Sequence, residues 1–291
     1  MLSLHTNAAA LSAQNSISRT QNTLSTSMTR LSTGYRINSA MDDAAGLQIA
    51  SRLKAQTSGM TVAMRNTQNS TSMLQTAEGA LDEVSNMLIR MKDLATQAAD
   101  ASSTSDDQKA MQAEFNALGR ELANVINNTT FGGQTLLSDT AQKGTLAEKA
   151  MVFQIGASSS ETMSVDLSSA MSAVTAALSS ATANYSAAST GASELTSIAN
   201  ANAAIGKLES ALNKVGTLRS DLGAAANRLE HVYNNLANIS TNTKAATGTI
   251  MDVDFASESA NMTSNQMLLQ ASTAMLKQSN SMSSMVMSLL Q

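Results

Sequence analysis

The chain has two histidines, His5 and His231, and they are its candidates for metal binding or acid–base chemistry. They lie far apart, and no HExxH-type pair sets two imidazoles one helical turn apart. His231 sits between Leu229 and Val232, off the apolar stripe, where an exposed helical histidine is expected. The acid pairs Asp42-Asp43 and Asp106-Asp107 do not read as a catalytic dyad, because adjacent residues on a helix point apart. Gly132-Gly133 lacks the following Lys-Ser/Thr of a phosphate loop. Cys is absent, which removes thiolate ligands and disulfides. A run of methionines near the C-terminus, Met262, Met267, Met275, Met282, Met285 and Met287, reads as adaptable packing rather than a cofactor box. Without a convergent polar constellation, the expectation is a structural protein with no cofactor and no catalytic or metal site.

What remains is helix. The 291 residues allow one to three domains. Pro and Trp are absent and aromatics make up 2%, so a core built on rings is not expected. Net charge is −4 with no basic block, which argues against a nucleic-acid partner. No run approaches 18 apolar residues, so no membrane-spanning helix is expected. The opening MLSLHTNAAALSAQNSISRT lacks a charged region followed by a solid apolar run, and it does not read as a cleavable signal peptide. Export, if it occurs, would follow another route.

Heptad spacing is the strongest signal. One seam runs Leu208, Ala211, Val215, Leu218, Leu222, Ala225, Leu229, Val232, Leu236, Ile239. A second runs Met60, Ala63, then Leu74, Ala77, Leu81, Val84, Leu88, Met91, Ala95, Ala98, with Thr67 and Ser70 as an interruption. A third runs Met111, Phe115, Leu118, Leu122, Val125, behind an acidic helix start at Thr104-Ser105-Asp106-Asp107. Phe131-Gly132-Gly133 reads as a turn. Residues 151–156 and 162–167 alternate apolar and polar, which predicts a β-hairpin near 151–167. Beyond it, Met171, Val174 and Leu178 have helical spacing in a Ser/Ala-rich stretch that is either a helix or a flexible excursion.

The two ends form a separate pair. Leu4, Leu11, Ile17, Leu24 and Leu31 mark one stripe, and Leu268, Met275, Met282 and Leu289 mark the other. Neither stripe is wide enough for a stable isolated helix in water. Residues 1–41 carry Arg19, Arg30 and Arg36 and no acid, while residues 251–291 carry Asp252, Asp254, Glu258 and a single base, Lys277. Such complementary helices pair with each other and leave apolar surface for further copies. The expected architecture is mostly α: an elongated antiparallel coiled-coil-like bundle with a small hairpin, plus a terminal two-helix domain.

One stretch carries a family likeness. Leu31-Ser32-Thr33-Gly34-Tyr35-Arg36-Ile37-Asn38-Ser39-Ala40-Met41-Asp42-Asp43-Ala44-Ala45-Gly46 closely resembles the N-terminal signature of bacterial flagellin. Thr76-Ala77-Glu78-Gly79-Ala80-Leu81, Phe153-Gln154-Ile155-Gly156-Ala157, Leu218-Arg219-Ser220-Asp221-Leu222-Gly223-Ala224 and Ser288-Leu289-Leu290 follow in register. The resemblance implies an inner core domain of terminal helices, residues 1–40 and 251–291. It implies an outer helical domain over 41–250, with a short variable segment near 168–194. It further implies a secreted subunit that polymerises with itself into the extracellular bacterial flagellum for motility. The implied partners are an export chaperone, the type III export apparatus, and the filament cap and junction proteins. A flagellin-sensing Toll-like receptor is a further implied partner, through Arg90, Leu94 and Glu114. The Ser/Thr-rich segment 157–197 could carry O-linked sugars, as in many flagellins. Two other readings stay open: a hook–filament junction protein of the same superfamily, and a cytoplasmic helical signalling hairpin.

Overall fold

The computed structural model describes residues 7–138, 144–185 and 193–289, with the side chains of 283–289 outside the description. The chain forms two compact units, one of residues 1–57 with 241–291 and one of residues 58–240. The helices are α1 (Ala8–Thr33), α2 (Ala44–Ala98), α3 (Ser105–Asn128), α4 (Thr145–Glu148), α5 (Ser168–Ala181), α6 (Ile198–Met251) and α7 (Phe255–Leu289). Two antiparallel hairpins join them: β1 (Thr130–Phe131) with β2 (Gln134–Thr135), and β3 (Met151–Gln154) with β4 (Thr162–Val165).

In the unit of the chain ends, α1 packs along α7. Asn7 caps α1, its Oδ1 accepting from the Ala10 amide at 3.1 Å while its Nδ2 donates to the Ser279 hydroxyl at 3.2 Å. α1 is rich in threonine, and each hydroxyl folds back on its own helix. Thr20, Thr23, Thr26, Thr29 and Thr33 donate to the carbonyls of Ser16, Arg19, Asn22, Ser25 and Thr29 at 2.9–3.0 Å. Gly34 ends the helix in the left-handed region, φ 75°, and its amide returns to the Arg30 carbonyl at 2.9 Å.

The unit of residues 58–240 is organised by the seams. Leu208, Ala211, Val215, Leu218, Leu222, Ala225 and Leu229 of α6 are all buried, as are Leu74, Ala77, Leu81, Val84, Leu88, Met91, Ala95 and Ala98 of α2. Two details differ from the sequence reading. Thr67 continues the α2 seam rather than breaking it: it is 1% exposed, and its hydroxyl is satisfied by the Ala63 carbonyl at 2.8 Å. The α6 seam slips by one at its end, where Ile239 is 38% exposed and Ser240 is buried. A straight helix drifts by about 20° per heptad, so a strict seven-residue row leaves its face after several turns.

Ion pairs bridge α2 and α6 at Lys92–Glu209 (2.9 Å) and Arg219–Asp82 (2.9 Å). Thr104 opens α3 with a reciprocal capping box to Asp107. The Gly132-Gly133 turn is a hairpin with flanking strands, both glycines at positive φ (59° and 85°). The second hairpin lies where alternation placed it, with Met151 opposite Val165 and Gln154 opposite Thr162. The stretch after it is a helix, α5, with Met171, Val174 and Leu178 in the core.

Candidate assembly surface

The segment between α1 and α2 is built by backbone hydrogen bonding to the strand-like link between α6 and α7. The Val253 amide donates to the Gly34 carbonyl at 3.0 Å, and the Arg36 amide donates to the Met251 carbonyl at 2.6 Å. The Arg36 guanidinium also donates to the Ile250 carbonyl at 2.9 Å, and Tyr35 forms a bridge with Asp252. Residues more than 210 positions apart are thereby stitched into one turn, with Ile37 buried beneath it.

The acid pair divides its work. Asp42 accepts from the amides of Ser39 (2.8 Å) and Asn38 (3.1 Å) and from the Ser39 hydroxyl (3.1 Å). The Ser39 and Asn38 amides, then the Ser39 hydroxyl and Arg30, hold its carboxyl below the usual carboxylate range. Asp43 turns the other way and caps α2, accepting from the Gly46 amide at 2.8 Å. Asp254 does the same for α7, accepting from the Ala256 amide at 3.0 Å and the Ser257 hydroxyl at 2.8 Å. The Ser257 hydroxyl, then the Ala256 and Ser257 amides, hold its carboxyl low as well. Arg30 stands between Asp42 and Glu258, 3.8 Å from each, which realises the charge bias of the two ends in a single cluster. A polar groove of about 590 Å³ lies beside it, lined by Asn22, Thr26, Ser27, Glu258, Asn261 and Asn265.

The terminal apolar rows separate into two faces. Ile17, Leu24 and Leu31 of α1 are half-buried, as are Met262, Leu269 and Leu276 of α7. The outer row stays open: Leu11 is 62% exposed, Leu268 55%, Met275 68% and Met282 54%, with Met267 beside them at 60%. Leu4 and the Leu289 side chain lie outside the described residues. The seven-residue spacing in the sequence thus mixes residues that hold the pair together with residues that face away from it.

Around α3, Arg90 and Glu114 form a surface ion pair, the guanidinium Nε and a terminal nitrogen both meeting one carboxylate oxygen at 2.7–2.8 Å. Leu94 is not part of that surface. It is 3% exposed and packed in the core, unlike Arg90 and Glu114, the other two residues expected at a receptor contact. Its burial follows from α2 lying against two neighbours, α3 through Arg90–Glu114 and α6 through Lys92–Glu209. The buried stripe therefore widens to Met87, Leu88, Met91, Leu94, Ala95 and Ala98.

A polar network that the sequence did not announce pins the segment after α5 to α3. Gln112 donates to Glu194 (2.9 Å) and Asn116 (2.7 Å) and accepts from the Leu195 amide at 2.6 Å. Asn184 donates to Asn116 at 2.8 Å. His231 is exposed on α6, and His5 lies outside the described residues. Among the described residues no group of three potential metal ligands occurs, and no helix is long and apolar enough to cross a membrane.

Residues 4–142 match the family described as bacterial flagellin N-terminal helical region, and residues 205–290 match bacterial flagellin C-terminal helical region. Polar flagellin F of Vibrio parahaemolyticus is 45% identical over 168 residues, 58% of this chain and 43% of that protein. B-type flagellin of Pseudomonas aeruginosa is 45% identical over 172 residues, 59% of this chain and 34% of that protein. The matched part of the chain thus spans less than half the length of these curated relatives. A solved structure of the flagellar hook-associated class, from Vibrio parahaemolyticus, covers 72% of this chain and all of its own. At 18% identity and a TM-score of 0.55 it is a likeness of fold alone. The N-terminal and C-terminal helical regions are both present and in order, and the chain belongs to the bacterial flagellin family.

Proposed function

We propose that this chain is the repeating structural subunit of a bacterial flagellar filament, polymerising outside the cell through the outer faces of α1 and α7 for motility. The supporting observation is the open row Leu11, Leu268, Met275 and Met282 on helices that already pack on each other. These side chains are a little over half exposed, so covering one is worth about 1–2 kcal/mol, and several per copy outweigh the entropy of fixing a subunit only when several neighbours contribute. Contacts between unlike faces give open helical fibres when the rotation from copy to copy does not close a ring.

The family relationship supports the further partners: an export chaperone on α7, the type III export apparatus, and cap and junction proteins. On the second unit, the exposed Arg90–Glu114 pair supports a contact with a flagellin-sensing Toll-like receptor, with Leu94 shaping the helix from beneath.

The test is truncation. Chains lacking residues 1–35 or 256–291 should retain the helical signal of the 58–240 unit and form no filaments under electron microscopy. Filaments from either truncation, or none from the intact chain, would overturn the reading. Recovery of the protein as the abundant component of sheared surface filaments separates the filament subunit from a junction protein present in few copies.

A further inference from the structure

The outer row of α7 is carried largely by sulfur. Met267, Met275 and Met282 are each more than half exposed, and Leu268 alone interrupts them with a branched hydrocarbon. Seven-residue spacing keeps Leu268, Met275 and Met282 within a narrow stripe. The half-buried row of the same helix is mostly leucine, with Met262 followed by Leu269 and Leu276. Elsewhere Met60, Met91, Met111 and Met171 are enclosed in the core. Accessible thioethers thus cluster on this face of α7, with Met28 of α1 and Met41 after it also exposed, against enclosed thioethers in the unit of residues 58–240. Adaptable packing explains why methionine is tolerated on such a face, but leucine would supply similar apolar area without the sulfur chemistry.

We propose that Met267, Met275 and Met282 form an oxidative-modification site through which a hydroperoxide blocks assembly of the free chain, an inference that rests on the filament reading above. The thioether sulfur attacks the outer oxygen of hydrogen peroxide. The O–O bond breaks, an S–O bond forms, sulfur loses two electrons, and the proton on the transferred oxygen passes to the departing hydroxide, which leaves as water. The product sulfoxide is polar and chiral. Placed on this row, it puts a strongly hydrated acceptor on a surface that assembly dehydrates, and covering it costs that hydration. A second copy laid over the row shields the same sulfurs. The modification thus acts on subunits before incorporation and spares those already covered. Because sulfoxides are reduced enzymatically, the block is reversible.

The experiment uses the full chain with hydrogen peroxide as the probe, in free and polymerised form, and reads each methionine by peptide mass spectrometry. In the free chain, Met267, Met275 and Met282 are expected to oxidise at least ten times faster than Met60, Met91, Met111 and Met171. Polymerisation is expected to slow their oxidation by a similar factor. The oxidised chain should fail to elongate seeds, and treatment with methionine sulfoxide reductases should restore elongation. A chain carrying Met267→Leu, Met275→Leu and Met282→Leu should elongate seeds both before and after peroxide. Equal oxidation rates in free and polymerised chain, unchanged elongation after oxidation, or a peroxide-sensitive triple variant would overturn the inference. An untreated chain that forms no polymer would instead overturn the filament reading, and the inference with it.

Discussion

Gly34→Ala isolates the role of the turn that stitches the two chain ends. Gly34 has φ 75° and ψ 4°, its amide closes α1 onto the Arg30 carbonyl, and its own carbonyl receives the Val253 amide at 3.0 Å. A Cβ built there meets only the Phe255 ring edge at 4.0 Å, which is ordinary contact, so the cost is conformational rather than steric. A left-handed non-glycine residue costs about 1–2 kcal/mol. That corresponds to roughly a 5- to 30-fold loss in the population of the closed turn. Amide exchange in the free chain reads this directly: the Val253 and Arg36 amides should lose protection by that factor, while the seam of α6 keeps its own. Gly34→Asn should cost less, because asparagine tolerates the left-handed region. Gly79→Ala is the internal control. Gly79 lies within α2 with nothing within 4 Å of its would-be Cβ, so alanine there should stabilise by about 0.5–1 kcal/mol. Unchanged protection at Val253 in Gly34→Ala, or Asn as damaging as Ala, would refute the conformational argument.

Phe115→Ala should destabilise the 58–240 unit by about 3–5 kcal/mol, since the ring is fully buried, and a denaturant titration followed by circular dichroism measures it. Asp42 has a folded-state pKa below its unfolded value. Its contribution is therefore complete above the ordinary carboxylate range and is lost as pH falls through the lowered value, so the protection of the Ser39 and Asn38 amides, taken relative to intrinsic exchange at each pH, should fall in acid and lose that pH dependence in Asp42→Asn. Arg90→Ala should cost under about 1 kcal/mol of stability, because both partners of the Arg90–Glu114 pair are about half exposed, yet it should reduce signalling in receptor-bearing cells; undiminished signalling would remove the receptor contact.

The seams were legible because leucine and alanine at steps of three and four have one structural meaning over five or more turns. The hairpin at β3 and β4 was legible for the same reason with period two. Other features depend on context that periodicity does not carry. Thr67 looked like a break because its residue type is polar, but its hydroxyl bonds within its own helix and leaves a methyl for the core. The strands flanking Gly132-Gly133 are two residues each, too short to show alternation. The Gln112 network joins residues 82 and 83 positions apart, and polar residues at that distance leave no pattern to read. At the chain ends, seven-residue spacing marked the right helices but could not say which row turns inward. That is decided by where Arg30 meets Glu258 and where Asn7 meets Ser279.

The threonines of α1 bear on how a surface so poor in aromatic and branched apolar residues can be covered at all. A hydroxyl that faces water must be stripped of its hydration when another molecule is laid on it, and it then needs a new partner. The hydroxyls of Thr20, Thr23, Thr26, Thr29 and Thr33 already have one, in the carbonyl a turn earlier on the same helix. Drying them exposes no unmet donor, and the group left to meet a neighbour is the γ-methyl. Along this helix threonine thus serves as a short aliphatic residue that remains wettable while the chain is alone. A chain that must pass through water as a monomer and still associate closely gains from that duality, because the same atoms resist aggregation in one setting and tolerate dehydration in the other.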